Sequence, residues 1–360
     1  MVHLSAHFMG ANFTTRLFWP IALTALLAGC GSGSSGQPVT QTVSAPPSHV
    51  AASAPAGAGP VAVAVGAGGV WVADGAGGGV TRIDPQSHGA GRPIPVGSGP
   101  VAIAAGPSGV WVANASGTVV HVDPSTSRVV GPPIPVADPA GVTEAAGSVW
   151  VTSRQADSVV RIDPIRGAAR GAPIRVGAQP TDIAEGAGAV WVANSADGTV
   201  SRIDAASGAV APPIRVARNQ PPRQGLNAPS HEQPGAEVLG LAAGGSGAWV
   251  AKTDSAETQR IEIVHLAGPS GSVTGSPIAV TGAIPMRLAV GPTAVWVTDA
   301  GGLLAGQRTP ALLRIDPRAR ARAGSPVAIG PEPTGVAVGA GGAWVTTAGD
   351  NRVSEVVSGG

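Results

Sequence analysis

Short apolar runs separated by turn-forming residues fill most of this chain, and one passage shows the whole unit. Pro60 opens the run Val61-Ala62-Val63-Ala64-Val65, which ends in Gly66-Ala67-Gly68-Gly69. Val70-Trp71-Val72-Ala73 comes next and gives way to a polar stretch from Asp74 to Gly79. Val80-Thr81-Arg82-Ile83 is stopped by Asp84-Pro85, and Pro93-Ile94-Pro95-Val96 closes the unit before Gly97-Ser98-Gly99. Such runs, with period-two alternation and Gly, Pro or Asp between them, predict four short antiparallel strands joined by tight turns. Prolines in the fourth run suit an outermost strand, because one edge of such a strand makes no ladder hydrogen bonds.

The unit recurs seven times, marked by a Trp-Val pair at Trp71, Trp111, Trp150, Trp191, Trp249, Trp296 and Trp344. Successive tryptophans stand 40, 39, 41, 58, 47 and 48 residues apart. A period of about 40–45 residues with several strands per repeat is the signature of a β-propeller. The expected fold is therefore all-β: seven blades, each of four strands. Third strands repeat as Arg161-Ile162-Asp163, Arg202-Ile203-Asp204 and Arg314-Ile315-Asp316, with His121 in place of the arginine in the second unit. The seventh unit breaks off near Val353 to Val357, so its outer strand must come from the segment before Pro60, within Val50 to Ala56. Pairing the two ends of the chain in one blade closes the ring and removes an exposed edge. One tryptophan at the same place in every blade is expected to pack between neighbouring sheets rather than to form a ligand cage.

The first thirty residues read as an address. Arg16 precedes an apolar run from Leu17 to Leu27, which ends in Leu27-Ala28-Gly29-Cys30. This is a signal peptide by its short apolar core and small-residue cleavage site. Cys30, the one cysteine of the chain, excludes an internal disulfide. The organisation expected is thus a signal peptide over 1–29, Cys30 and a Gly/Ser-rich tether to residue 45, and the propeller over 46–360. Charged residues make up 12% of the chain and the net charge is +1, too little basic excess for nucleic-acid binding.

The end Leu27-Ala28-Gly29-Cys30 resembles the lipobox of bacterial lipoproteins, which implies cleavage before Cys30, diacylglycerol on its sulfur and an extracytoplasmic, membrane-anchored domain in the cell envelope. The units Gly109-Val110-Trp111-Val112-Ala113-Asn114 and Gly188-Ala189-Val190-Trp191-Val192-Ala193-Asn194 resemble the seven-bladed propellers of the YVTN and virginiamycin B lyase-like group over about residues 46–360. That group includes lyases, lactonases and plain binding proteins, so the resemblance implies fold more than activity. Its lyase-type members carry Trp-Phe-Thr-Glu where this chain has Trp-Val-Ala-Asp, and their catalysis is implied to rest on a His–Glu pair with magnesium. No equivalent pair is found here.

Candidate chemistry is sparse. Familiar metalloprotease, serine-hydrolase and phosphate-loop motifs are absent. Asp74, Asn114, Asn194 and Asp299 follow the Trp-Val motif and begin the next loop; they either form a ring of oxygens for calcium or magnesium or cap their own turns. Repeats lengthen between the fourth and sixth units, bringing in His231, Glu232 and Lys252 on one face, and long loops on a rigid scaffold are where function concentrates. Asp182 and Arg287 occupy an inner-strand position held elsewhere by Ala62, Ala102, Gly141, Gly240 and Gly335. On the opposite face Arg314, Arg318, Arg320 and Arg322 cluster, either as a solvated loop or as a contact for anionic lipid or cell-wall polymer. The expectation is a monomeric, non-catalytic, lipid-anchored propeller that needs no cofactor and binds a small molecule or protein through the loop-rich face. The rival is a metal-dependent lyase- or lactonase-like enzyme with its site at the channel mouth.

Overall fold

In the computed structural model, residues 47–217, 238–253, 261–280, 285–301 and 309–358 are described, and they belong to one compact unit, Gln41–Gly360. They form seven antiparallel sheets and no helix. The first blade holds an inner strand Pro60–Gly66, a second strand Gly69–Asp74, a third Gly79–Ile83 and an outer Ile94–Pro95. The order inner, second, third, outer repeats in every sheet. In the seventh, Ser48–Pro55 pairs antiparallel with the C-terminal Arg352–Ser358, so the ring is closed by the two ends of the chain as the truncated last repeat required.

Local sequence explains the details of each blade. Ala67-Gly68, Ala146-Gly147, Ala187-Gly188 and Ala340-Gly341 all take positive φ, the backbone of the tight hairpin turn that matches strand twist. Outer strands are shorter than the repeats suggest. Those of the first and fourth blades keep only Ile94–Pro95 and Ile214–Arg215, and that of the third is split into Ala168–Ala169 and Ile174–Arg175 by Gly171 and Pro173. Proline lacks the N–H that a longer ladder would need.

The tryptophans lie between sheets. Trp71 packs with Val80 and Ile94 of its own blade and with Ile103, Val110 and Val122 of the next. Trp344 packs with Ala54 from the N-terminal strand and with Val63, Val72 and Ile83 of the first blade. Burying about 150–250 Å² per indole makes these contacts the main apolar adhesive between blades.

Each tryptophan also faces a partner directly across on the third strand. Arg82, Arg161, Arg202 and Arg314 stand opposite Trp71, Trp150, Trp191 and Trp296, with the guanidinium carbon 4.9–6.0 Å from the ring centre. His121 stacks on Trp111 at 4.3 Å and His265 on Trp249 at 4.5 Å. In the seventh blade Glu355 holds that position, and His88 reaches over from the first blade to stack on Trp344 and pair with Glu355 at 2.8 Å.

Two faces follow from the strand directions. The turn face carries the first-to-second and third-to-outer turns. The loop face carries the second-to-third loops and the connections between blades.

Candidate functional site

The inner strands line a central channel of about 490 Å³. Near its loop-face end every inner strand carries a register shift, for example between Pro60 and Ala62, Pro180 and Asp182, and Pro333 and Gly335. A bulge re-aims side chains locally, and here all seven bulges sit at the channel mouth. At the residue that follows the bulge there is little room: a Cβ on Gly335 would press on the Ala62 and Val63 backbone of the neighbouring strand. Ala and Gly suit that position for this reason.

Asp182 breaks the rule by hydrogen bonding. Its carboxylate accepts from the Ile183 amide at 2.9 Å and crosses to the Leu241 amide of the fifth blade at 3.0 Å. The side chain stays half-buried at the channel wall. Burial pushes the Asp182 carboxyl upward, while the positive charge of Arg287 and the two amides pull it down. Arg287 is exposed and lines the same channel. The structure thus brings together the two inner-strand outliers that the repeat pattern singled out.

Two further carboxylates went unnoticed in the sequence. Glu144 and Glu185 line the channel nearer the turn face, at the position held by Val65, Ala105, Ala243, Val290 and Val338 in the other blades. Aligning every inner strand residue by residue would have found them by the same logic as Asp182. Glu144 accepts hydrogen bonds from the Ser108 amide and hydroxyl, and Ser108 in turn accepts from the Trp111 indole. His121 bonds the Ser108 carbonyl rather than its hydroxyl, and burial lowers its pKa, so these residues make a wedge between blades and not a nucleophile with its base. Thr143 and Thr181 add hydroxyls to the same arc of the channel.

Asp74, Asn114, Asn194 and Asp299 are all buried. Asn114 donates to the Val96 carbonyl, Asn194 to the Thr199 and Ser201 hydroxyls, and Asp74 accepts from Thr81. Asp299 accepts from the Gly301 amide. Ser153, Lys252 and Thr347 occupy the equivalent place in the other three blades. This is a position of polar clasps, and its residues do not fit a single divalent ion. Among the described residues no three His, Cys, Asp or Glu side chains converge in a way that suits a metal. Burial raises Asp74 to about 6 in spite of its bond from Thr81.

Lys252 is buried, with its Nζ 2.7 Å from the Glu262 carboxylate directly across the hairpin, so its charge is engaged within the blade. Glu262 and His265 face different neighbours, Lys252 and Trp249. His231, Glu232 and Cys30 lie outside the described residues.

No protein-family model and no curated protein matches the chain. Solved structures do resemble it in fold. Hydrazine synthase of Kuenenia stuttgartiensis superimposes with a TM-score of 0.67 at 15% identity, covering 91% of this chain and 99% of the other. Virginiamycin B lyase from Staphylococcus aureus superimposes with a TM-score of 0.61 at 17% identity, covering 83% and 94%. Identities this low speak for the seven-bladed architecture alone.

Proposed function

We propose that this propeller is a non-catalytic binding protein, anchored through Cys30 to the outside of a bacterial membrane, that takes a small zwitterionic ligand at the loop-face mouth of its channel. The observation that carries the reading is the opposed pair Asp182 and Arg287 at positions where the remaining described blades have Ala or Gly. A mouth lined by one guanidinium and a half-buried carboxylate, over walls of mixed polarity and a volume of about 490 Å³, is suited to a ligand with an amine and an acidic group. Glu185, exposed deeper in the channel, adds a second contact for a cationic end.

A thermal-shift screen with amino acids, amino sugars and sugar acids tests the reading. A stabilising compound is expected, with its shift lost in both Asp182→Asn and Arg287→Ala. A screen without any hit, or hits that both variants retain, would count against it. Calcium or magnesium in the same screen separates the rival: a metal shift lost in Asp182→Asn would favour the lyase- or lactonase-like enzyme. The anchor has its own test. Intact-mass analysis of membrane-extracted protein should show an N-terminal diacylated Cys30, with no acyl mass in Cys30→Ser.

A further inference from the structure

We propose that the turn face of the propeller docks on an anionic phospholipid bilayer. It rests on the described residues of the propeller and is independent of the channel.

The first observation is where exposed apolar residues fall. The large hydrophobic residues left exposed are Val50, Val129, Val130, Ile165, Val210 and Val273. All of them lie on the turn half of the ring. Val129 and Val130 begin the outer strand that leaves the turn after Asp123, Val210 faces Ile203, Val273 faces Leu266 and Val50 faces Val356. Ile165 is 96% exposed at the tip of the turn after Asp163. An aliphatic side chain placed so openly gains nothing in water; scattered ones need no explanation, but six on one half of a molecule do.

The second observation is charge. Arg92, Arg128, Arg166, Arg170, Arg318 and Arg322 are exposed on this half, and arginine outnumbers carboxylate there. Its turn aspartates are tied to their own turns. Asp84, Asp123, Asp163, Asp204 and Asp316 each accept hydrogen bonds from amides of their own turns. Among the described residues the loop half is evenly mixed, with Asp138, Asp157, Asp197, Glu332 and Asp350 alongside Arg154, Arg175, Arg215, Arg287 and Arg352. The basic excess therefore lies on the turn half. Basic side chains around partly exposed aliphatic ones, with Ile165 standing fully open, are the composition of a surface that sits at a headgroup layer.

The third observation is the path of the chain. Ser48 pairs with Ser358 at the turn-face end of the seventh blade, so the chain enters the propeller on this side.

Hydroxyl-radical footprinting of the full chain on vesicles reads the orientation directly. On phosphatidylglycerol/phosphatidylcholine vesicles, oxidation of Ile165, Val129 and Val210 should fall severalfold, while Gln155 and Pro331 on the loop face stay reactive. The protection should vanish in about 1 M salt, where the Debye length is about 3 Å. It should also vanish in the triple variant R170E/R318E/R322E, whose replaced side chains make no hydrogen bond in the fold and whose near-ultraviolet tryptophan spectrum should be unchanged. Equal protection of both faces, no protection of Ile165, or protection that persists on pure phosphatidylcholine or in the variant would overturn the proposal. Protection by a soluble glycerophosphate polymer but not by vesicles would overturn it in favour of a cell-wall contact.

Discussion

At the scale of single residues, the position after each Trp-Val-Ala or Trp-Val-Thr shows how one site can invite the wrong chemistry. Asp74, Asn114 and Asn194 offer the oxygens a cation would need, yet each is buried, with an Oδ1 that no protein group bonds. Asparagine tolerates this better than aspartate, since it carries no charge to desolvate. With a folded pKa of about 6 against an ordinary 3.8, Asp74 makes the folded protein bind more protons than the unfolded chain between about pH 4 and 6. Stability contributed at this residue is therefore lost as pH rises through that window, and the full penalty stands above it. Asp74→Asn should stabilise the protein at pH 7.5 by about 2–3 kcal/mol and leave it unchanged at pH 4, as measured by urea melts at the two pH values. An equal gain at both would show that charge is not the cause. The tryptophan partners are a contrasting case: His121 broke the arginine pattern in the sequence, and the structure shows that imidazole does the same stacking work.

At the scale of elements, the short strands hold because their ends are pinned by glycine connections. Gly57 has φ +80°, and a Cβ there would run into the Asp74 carboxylate. Gly57→Ala should destabilise by about 3 kcal/mol, combining left-handed strain with overpacking; a thermal melt within error of the parent would refute the close approach. The N-terminal strand is a stronger case. Deleting residues 46–59 removes the whole outer strand of the seventh blade and exposes the third strand's edge. The deleted protein should melt well below the parent or aggregate. The strand pattern, its four-strand unit and even this closure were legible, because alternation and turn residues are local signals. The inner-strand bulges were not, since a bulge is a relation between two strands and leaves no mark on either one alone.

At the scale of the whole molecule, the ring places residues together that are far apart in sequence. His88 and Glu355 meet across the junction of the first and seventh blades, where Glu355 is nearly buried. His88→Ala should lower stability by about 1–3 kcal/mol, since the buried carboxylate loses its partner. A urea melt gives the readout, and a silent mutation would mean the junction is held by packing alone. The channel and the two faces likewise exist only in the closed ring. By itself the sequence determined the number of blades, the strands in each and the place of the tryptophans, because a repeat states its own period and each blade folds by local rules. Only the tertiary structure decided which polar residues reach the channel, which are buried as clasps, and which of the two faces is basic. Those depend on how seven similar units turn their side chains toward or away from one common axis.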